Sequence, residues 1–271
     1  MSTPNSRRAG FTLVELLTVT VVGSLLVMSA LQILITNQRT YTAQSATVSD
    51  QQSTRMSLDL LFNELREVSP AGGDLLGMGS DSIRVRLMRR FSIVCDTNLG
   101  TPSVTVMNYQ GKKFSAADSV FVFADNAEGT TTDDVWIEAK VTAIDSTTTC
   151  PHDSSSATKL SFAGQGAAFA ADSVGLGAPV RSHDVFTFAV TTFRGQEYLG
   201  RRQDSGAMIP IAGPLEAGGL EFVYRDAYGA ITTTASDVRQ IEVVIRSGDG
   251  IVNSVGAAVS DSISAWIYTR N

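Results

Sequence analysis

An uncharged apolar run of twenty residues lies close to the N-terminus and constrains the fold of this chain most. It covers residues 16–35 and reads LLTVTVVGSLLVMSALQILI. As a helix rising about 1.5 Å per residue, such a run is roughly 30 Å long, which is the thickness of the hydrocarbon core of a bilayer. The sequence therefore predicts one membrane-spanning helix.

A removable secretory signal peptide is the alternative interpretation of this run. The apolar region of a signal peptide has about 7 to 15 residues and ends at a cleavage site made of small residues. Here the run is longer, and the polar residues 36–39 follow it, so we expect a retained anchor. Because Arg7 and Arg8 precede the run, the positive-inside rule places the N-terminus in the cytoplasm and the rest of the chain beyond the inner membrane.

A single carboxylate, that of Glu15, interrupts the anchor at residues 11–35. An acidic side chain near the centre of a membrane helix costs about 2 to 3 kcal/mol. One explanation is structural: Glu15 lies near the helix start, where its side chain reaches the headgroups and the positive end of the helix dipole. The neighbouring residues indicate a second explanation.

Residues 7–16, RRAGFTLVEL, resemble the class III signal of type IV prepilins and of type II secretion pseudopilins. In that family a short basic leader ends in glycine, the next residue is usually phenylalanine, and glutamate follows four residues later. Gly10, Phe11 and Glu15 match these three positions. The resemblance implies a prepilin that a membrane-embedded prepilin peptidase cuts between Gly10 and Phe11, after which the new N-terminus on Phe11 is methylated.

The same resemblance implies assembly into a filament. Cleavage leaves a cationic amine on Phe11, and Glu15 supplies the anion that pairs with the amine of a neighbouring subunit. Burying either charge alone is prohibitive, whereas a hydrogen-bonded pair is tolerated. The implied partners are the prepilin peptidase and methyltransferase, other major and minor pilins, the inner-membrane assembly platform and the membrane itself.

Beyond the membrane the helix is predicted to continue as an amphipathic stalk. Its apolar residues recur at steps of three and four, which is the spacing of one helix face. They are Leu58, Leu61, Leu65 and Val68. We interpret this stripe as core packing against the head, and we expect the helix to end near Val68, because a serine, a proline and two glycines follow in residues 69–73.

After residue 73 the apolar period changes from 3.6 to 2, which is typical of strands. The predicted strands cover residues 83–87, 119–124, 135–141, 185–191, 220–225, 241–245 and 262–268. One long N-terminal helix packed on a mostly antiparallel sheet gives a pilin-like α+β fold. We predict four regions: a cleaved leader (1–10), a membrane-spanning half-helix (11–35), an amphipathic half-helix (36–68) and a β-rich head (69–271).

The C-terminal third carries a second, looser resemblance. The order of residues 219–226, 238–245 and 265–271 is similar to the ending of the large minor pilins called PilW-type and of the related J-type pseudopilins. Residues 51–68 are similar to the stalk helices of these proteins, whereas residues 96–218 show no such similarity. The resemblance implies a minor subunit with a large head.

Cys95 and Cys150 are the two cysteines of the chain. Since a head outside the cytoplasm meets an oxidising compartment, we expect them to form a disulfide. Two free thiols are the alternative, because a sequence does not show whether two cysteines are close in space.

The charge balance and the histidine and cysteine positions do not favour a nucleic-acid partner or a zinc site. The chain has a net charge of -6 without a basic block, so we expect no nucleic-acid partner. We predict no zinc site, because His152 and His183 are the only histidines and Cys150 lacks the second ligand pair that a tetrahedral site needs.

Three polar segments are considered and set aside. Residues 204–206, DSG, resemble the surroundings of a protease serine, but nothing marks a positioned histidine or an oxyanion hole. The acidic loops 125–134 and 247–250 do not follow EF-hand spacing, so we interpret them as solvated turns. We therefore predict no catalytic residues, no cofactor and no enzymatic activity.

The sequence favours a structural minor pilin that initiates or caps a type IV pilus. A minor pseudopilin in the tip complex of a type II secretion system is the nearest alternative. A pilus-tip adhesin or DNA-uptake receptor is an alternative of another class, and it predicts an exposed aromatic or basic patch on the head. An exported enzyme on a pilin anchor would require a cleft with convergent titratable groups.

Overall fold

The chain folds as one long N-terminal helix followed by an extensive antiparallel sheet, so the α+β prediction is confirmed. The computed structural model describes residues 12–98, 102–109, 113–126, 134–163, 174–248 and 260–270. The cleavage-site residues Gly10 and Phe11 lie outside the described residues.

Helix α1 covers Leu13–Leu65 and is 53 residues long. At about 1.5 Å per residue it extends roughly 80 Å. Arg66 caps its C-terminal end, so the helix ends three residues before Val68, the predicted end. Val68 is nevertheless fully buried with the head, and its amide donates to the Leu65 carbonyl in a final turn.

Eleven strands and a short 3-10 helix η1 (Ala235–Asp237) follow in the described part of the chain. The strands are β1 (Leu75–Met78), β2 (Ser82–Asn98), β3 (Ser103–Met107), β4 (Ser119–Ala124), β5 (Val135–Asp145), β6 (Ala157–Phe162), β7 (Pro179–Phe193), β8 (Gln196–Gln203), β9 (Ile209–Arg225), β10 (Gln240–Ser247) and β11 (Asp261–Tyr268). All seven predicted strands are present. Strands β1, β3, β6 and β8 were not predicted, and β2, β7 and β9 are much longer than expected.

The long strands β2 and β7 pair antiparallel with each other, from Ser82 opposite Ala189 to Ile93 opposite Pro179. The other edge of β2 pairs with β1 and then with β3, and the other edge of β7 pairs with β4 and then with β8. Pairings of β3 with β6, β6 with β5 and β5 with β4 complete a closed ring of six strands. The head thus contains a small barrel, which shares β2 and β7 with the sheet formed by β1, β2 and β7–β11.

Two hydrophobic cores correspond to these two parts. The first surrounds the end of α1, where Leu61 and Leu65 pack with residues such as Phe188 and Ile267. The second consists of strand residues of the ring and flanking segments, among them Val122, Leu160 and Val180. Because β2 and β7 supply side chains to both cores, the barrel is built into the sheet that packs against the helix.

Candidate functional site

The start of α1 is capped by the residue that follows Phe11. Thr12 has an extended backbone, and its Oγ1 accepts a hydrogen bond of 3.3 Å from the amide of Glu15. This N-cap bond satisfies an amide that the helix leaves unpaired, and Thr12 and Glu15 have the Ser/Thr-x-x-Glu spacing of a capping box. Glu15 consequently lies in the first turn of the helix, with its side chain exposed. No ion pair among the described residues includes Glu15.

The N-terminal part of α1 presents an apolar surface that the described chain does not cover. The large apolar side chains between Leu13 and Ile35 are each 48% to 79% exposed. By length and composition this helix can cross a membrane, and the apolar window is 0% buried. Soluble domains rarely expose so large a contiguous apolar surface, so this segment fits a membrane anchor, as is typical of pilins.

The hydroxyl groups of this segment are satisfied within the helix. Thr18, Thr20, Ser24 and Ser29 each donate to a backbone carbonyl three or four residues earlier, at 2.8 to 3.0 Å. A hydroxyl without a partner would be costly in hydrocarbon, and this local bond removes that cost. The four polar residues are therefore compatible with a membrane span.

The helix docks on the head through a face that starts at Ala46, and the middle of this face is polar. Asp50, Thr54 and Ser57 are buried there. The hydroxyl of Thr54 lies 3.0 Å from Oδ2 of Asp261 on β11, and the hydroxyl of Ser247 on β10 donates to the Asp50 carbonyl at 3.1 Å. These directional bonds fix the position of the helix along the sheet.

The predicted stripe forms the apolar end of the same face. Leu61, Leu65 and Val68 are fully buried, and Leu58 packs against them, so the interpretation as core packing is confirmed. The buried polar residues preceding the stripe were missed. Their positions 50, 54 and 57 continue the three- and four-residue steps of the stripe, and this spacing would have indicated them.

A disulfide joins Cys95 on β2 to Cys150, as predicted, and their Cα atoms are 5.6 Å apart. Cys150 is buried in the surface loop between β5 and β6. Hydrogen bonds from Thr147 lower the pKa of Asp145, and hydrogen bonds from Ser155 lower that of Asp153, because they stabilise the charged carboxylates of this loop. The disulfide between Cys95 and Cys150 ties this loop to strand β2 of the barrel.

Residues 204–206 and His183, which the sequence analysis considered, lie on different elements of the described chain. Residues 204–206 lie in the turn between β8 and β9, where Asp204 has a positive φ of 49°. His183 is buried on β7, and its Nε2 lies 3.5 Å from a carboxylate oxygen of Glu138. Within the described residues, no group of three or more His, Cys, Asp or Glu side chains could hold a metal ion. Residues 127–133 and 249–250 of the two acidic loops lie outside the described ranges.

Residues 5–31 match the family model of the prokaryotic N-terminal methylation motif. No curated protein and no solved structure matches the chain. The matched residues contain Gly10, Phe11 and Glu15 and include the first part of α1. The chain therefore carries a prepilin-type N-terminal methylation motif that extends into a long apolar helix, which is consistent with a type IV pilin-like protein.

Proposed function

We propose that the chain is a minor pilin of a type IV pilus, which a prepilin peptidase cuts between Gly10 and Phe11. The mature subunit leaves the inner membrane by inserting its N-terminal helix into the filament, where it initiates or caps assembly. The observation that carries the proposal is the matched motif joined to a helix whose apolar surface is uncovered from Leu13 to Ile35. Such a surface must be covered by lipid before assembly and by neighbouring helices after it.

Glu15 has a specific role in this proposal. Its side chain is exposed in the first turn of α1, and Glu15 follows Phe11 by four residues in the sequence. In a filament interior the carboxylate requires a cationic partner, and the methylated amine of an adjacent subunit provides one. The charge pair would select one axial register for the incoming subunit.

The size of the head supports a minor role. The sheet of β1, β2 and β7–β11 already buries the end of α1, and the barrel adds a second core beside it. A repeating subunit must fit beside many copies of itself, whereas a subunit at the tip has free space on one side. The motif itself suggests a structural protein, and the additional barrel supplies surface for contacts with other minor subunits.

Mass spectrometry of the N-terminus of membrane-extracted protein tests this proposal. With the prepilin peptidase present, we expect a chain that starts at methylated Phe11, and without the peptidase a chain that starts at Met1. Gly10→Val should remain uncut even with the peptidase, because a branched side chain obstructs the extended peptide at the scissile bond. An uncut wild-type chain in the presence of the peptidase, or cleavage beyond Ile35, would contradict the proposal.

The role of Glu15 is tested by filament incorporation. Glu15→Leu should be cleaved normally and accumulate in the membrane, but it should be depleted from purified filaments. Val14→Leu is the matched control, since it changes the adjacent residue without changing charge. If Glu15→Leu enters filaments as efficiently as Val14→Leu, the proposed pairing is wrong.

A minor pseudopilin of a type II secretion system is the second candidate, because the motif is common to pilins and pseudopilins. Deletion of the gene distinguishes the two systems. Loss of surface pili with normal secretion supports the pilus, and loss of secretion with normal pili supports the pseudopilus.

A further inference from the structure

A cleft of about 280 Å³ lies where the end of α1 meets the junction of the barrel and the sheet. Its walls come from the segment after α1, from β2, β4 and β7, and from the C-terminal end of the chain. Four arginines line it: Arg66, Arg86, Arg181 and Arg270. They face two carboxylates, those of Glu67 and Asp74, so the cleft is positively charged in a chain whose net charge is -6.

Aromatic rings hold the two inner arginines in place. The guanidinium of Arg86 lies 4.9 Å from the ring centre of Phe121, and that of Arg181 lies 4.5 Å from the ring centre of Trp136. Stacking occupies the faces of a guanidinium and leaves its N–H groups free in the plane. The Nε atoms of both arginines are buried and have no hydrogen-bond partner among the described residues.

His183 provides an independent observation at the same cleft. Its side chain is 6% exposed, and its buried Nδ1 has no hydrogen-bond partner within the described ranges. Burial, together with the positive charges of Arg86 and Arg181, lowers the pKa of His183 to about 4. A buried polar atom without a partner costs free energy, and three such atoms, Nε of Arg86, Nε of Arg181 and Nδ1 of His183, belong to residues that line the cleft.

The carboxylates of the cleft do not supply enough acceptors for the N–H groups of these arginines. Oδ2 of Asp74 already accepts a hydrogen bond of 3.2 Å from the amide of Ser69. Burial raises the pKa of Asp74, whereas the positive charges of Arg181, Arg86 and Arg270 act in the opposite direction. Glu138 lies 3.6 Å from Arg86, but its side chain is 54% exposed. Donors in the cleft therefore exceed the acceptors that the described chain offers.

We propose that this cleft binds a small oxyanion with two or more negative charges, a polycarboxylate or a phosphate. Guanidinium groups bind both kinds of anion through paired N–H donors. The volume is close to the lower end of small-molecule sites, about 300 Å³, which excludes a long polymer but admits a compact anion. The site lies on the head and does not depend on the filament role, so the two proposals fail independently.

Tryptophan fluorescence of the detergent-solubilised full-length chain tests this site. Trp266→Phe leaves Trp136 as the single reporter, and Trp136 contacts Arg181. Citrate and inorganic phosphate are the two probes. Each is titrated into the protein, and sodium chloride at the same ionic strength is the control. We expect a saturable signal from at least one probe, and comparison of the two distinguishes planar carboxylate from tetrahedral phosphate.

Three single variants locate the site. Arg181→Gln and Arg270→Gln should each weaken binding of the better probe about tenfold, the usual loss for one charge-assisted hydrogen bond. Arg270 is exposed near the C-terminus, so its replacement tests the site without disturbing a core. Arg84→Gln is the matched control, because Arg84 is exposed on β2 and does not line the cleft. No saturable signal from either probe, or an equal loss in all three variants, would overturn the proposal.

Discussion

Truncation of Leu61 tests whether the end of α1 is packed into the core of the head, because only a packed side chain should cause a large loss in the free energy of unfolding. Leu61 is fully buried on α1 in the first core. Leu61→Ala removes three carbon atoms, which corresponds to about 2.4 kcal/mol at about 0.8 kcal/mol per buried carbon. Because the helix is held by the polar bonds of Thr54 and Ser247 and cannot move to fill the space, a cavity term brings the expected loss to about 3 to 4 kcal/mol.

Guanidinium unfolding of the detergent-solubilised chain measures this loss. Trp136→Phe leaves Trp266 as the reporter on β11, beside Ile267 of the same core. Phe62→Ala is the matched control, since Phe62 is 40% exposed on the next position of the helix. Because its side chain is partly solvated and outside the core, it should lower the free energy of unfolding by less than Leu61→Ala does. Equal losses for the two variants would refute the view that the helix end is part of the core.

Three further predictions concern the disulfide, a buried histidine of the head and the bond that joins α1 to the head. Replacing Cys95 and Cys150 together by serine should lower the free energy of unfolding by about 4 kcal/mol, because the bond spans 55 residues; a stable double variant in the same denaturation assay would contradict this. Between pH 6.5 and about 4 the unfolded chain takes up a proton at His183 that the folded chain does not, so stability should fall as the pH is lowered. Urea unfolding at several pH values should show a smaller fall for His183→Gln. Thr54→Val should cost about 1 to 3 kcal/mol through loss of the bond to Asp261, whereas Thr54→Ser should keep most of the stability in urea unfolding.

The disulfide variant and the Leu61 variant each perturb a different part of the head. The disulfide ties the barrel wall, and Leu61 lies in the core around the helix. Since β2 and β7 continue through both parts, we expect damage to either core to weaken the other through the shared strands.

The long apolar helix, the methylation motif and most of the strands could be predicted from the sequence alone. These features are encoded locally: the motif occupies residues 5–31, the apolar segment is one continuous run, and an alternating strand such as β10 carries its pattern within eight residues. The disulfide was also predicted, because the sequence indicates an exported head, and an oxidising compartment favours a bond between its two cysteines. The missed strands are short or polar, as in β3 and β8, so their periodicity is weak.

The ring closure and the charged cleft were decided by the tertiary structure. The ring requires six strand pairings, and three of them, β2 with β7, β3 with β6 and β4 with β7, join strands that are far apart in the chain. No local pattern specifies which edge of β2 or β7 receives which partner. The arginines of the cleft stand at positions 66, 86, 181 and 270, where each resembles an ordinary surface residue. Only the folded chain places them around one space, because convergence depends on how the sheet and the barrel share their strands.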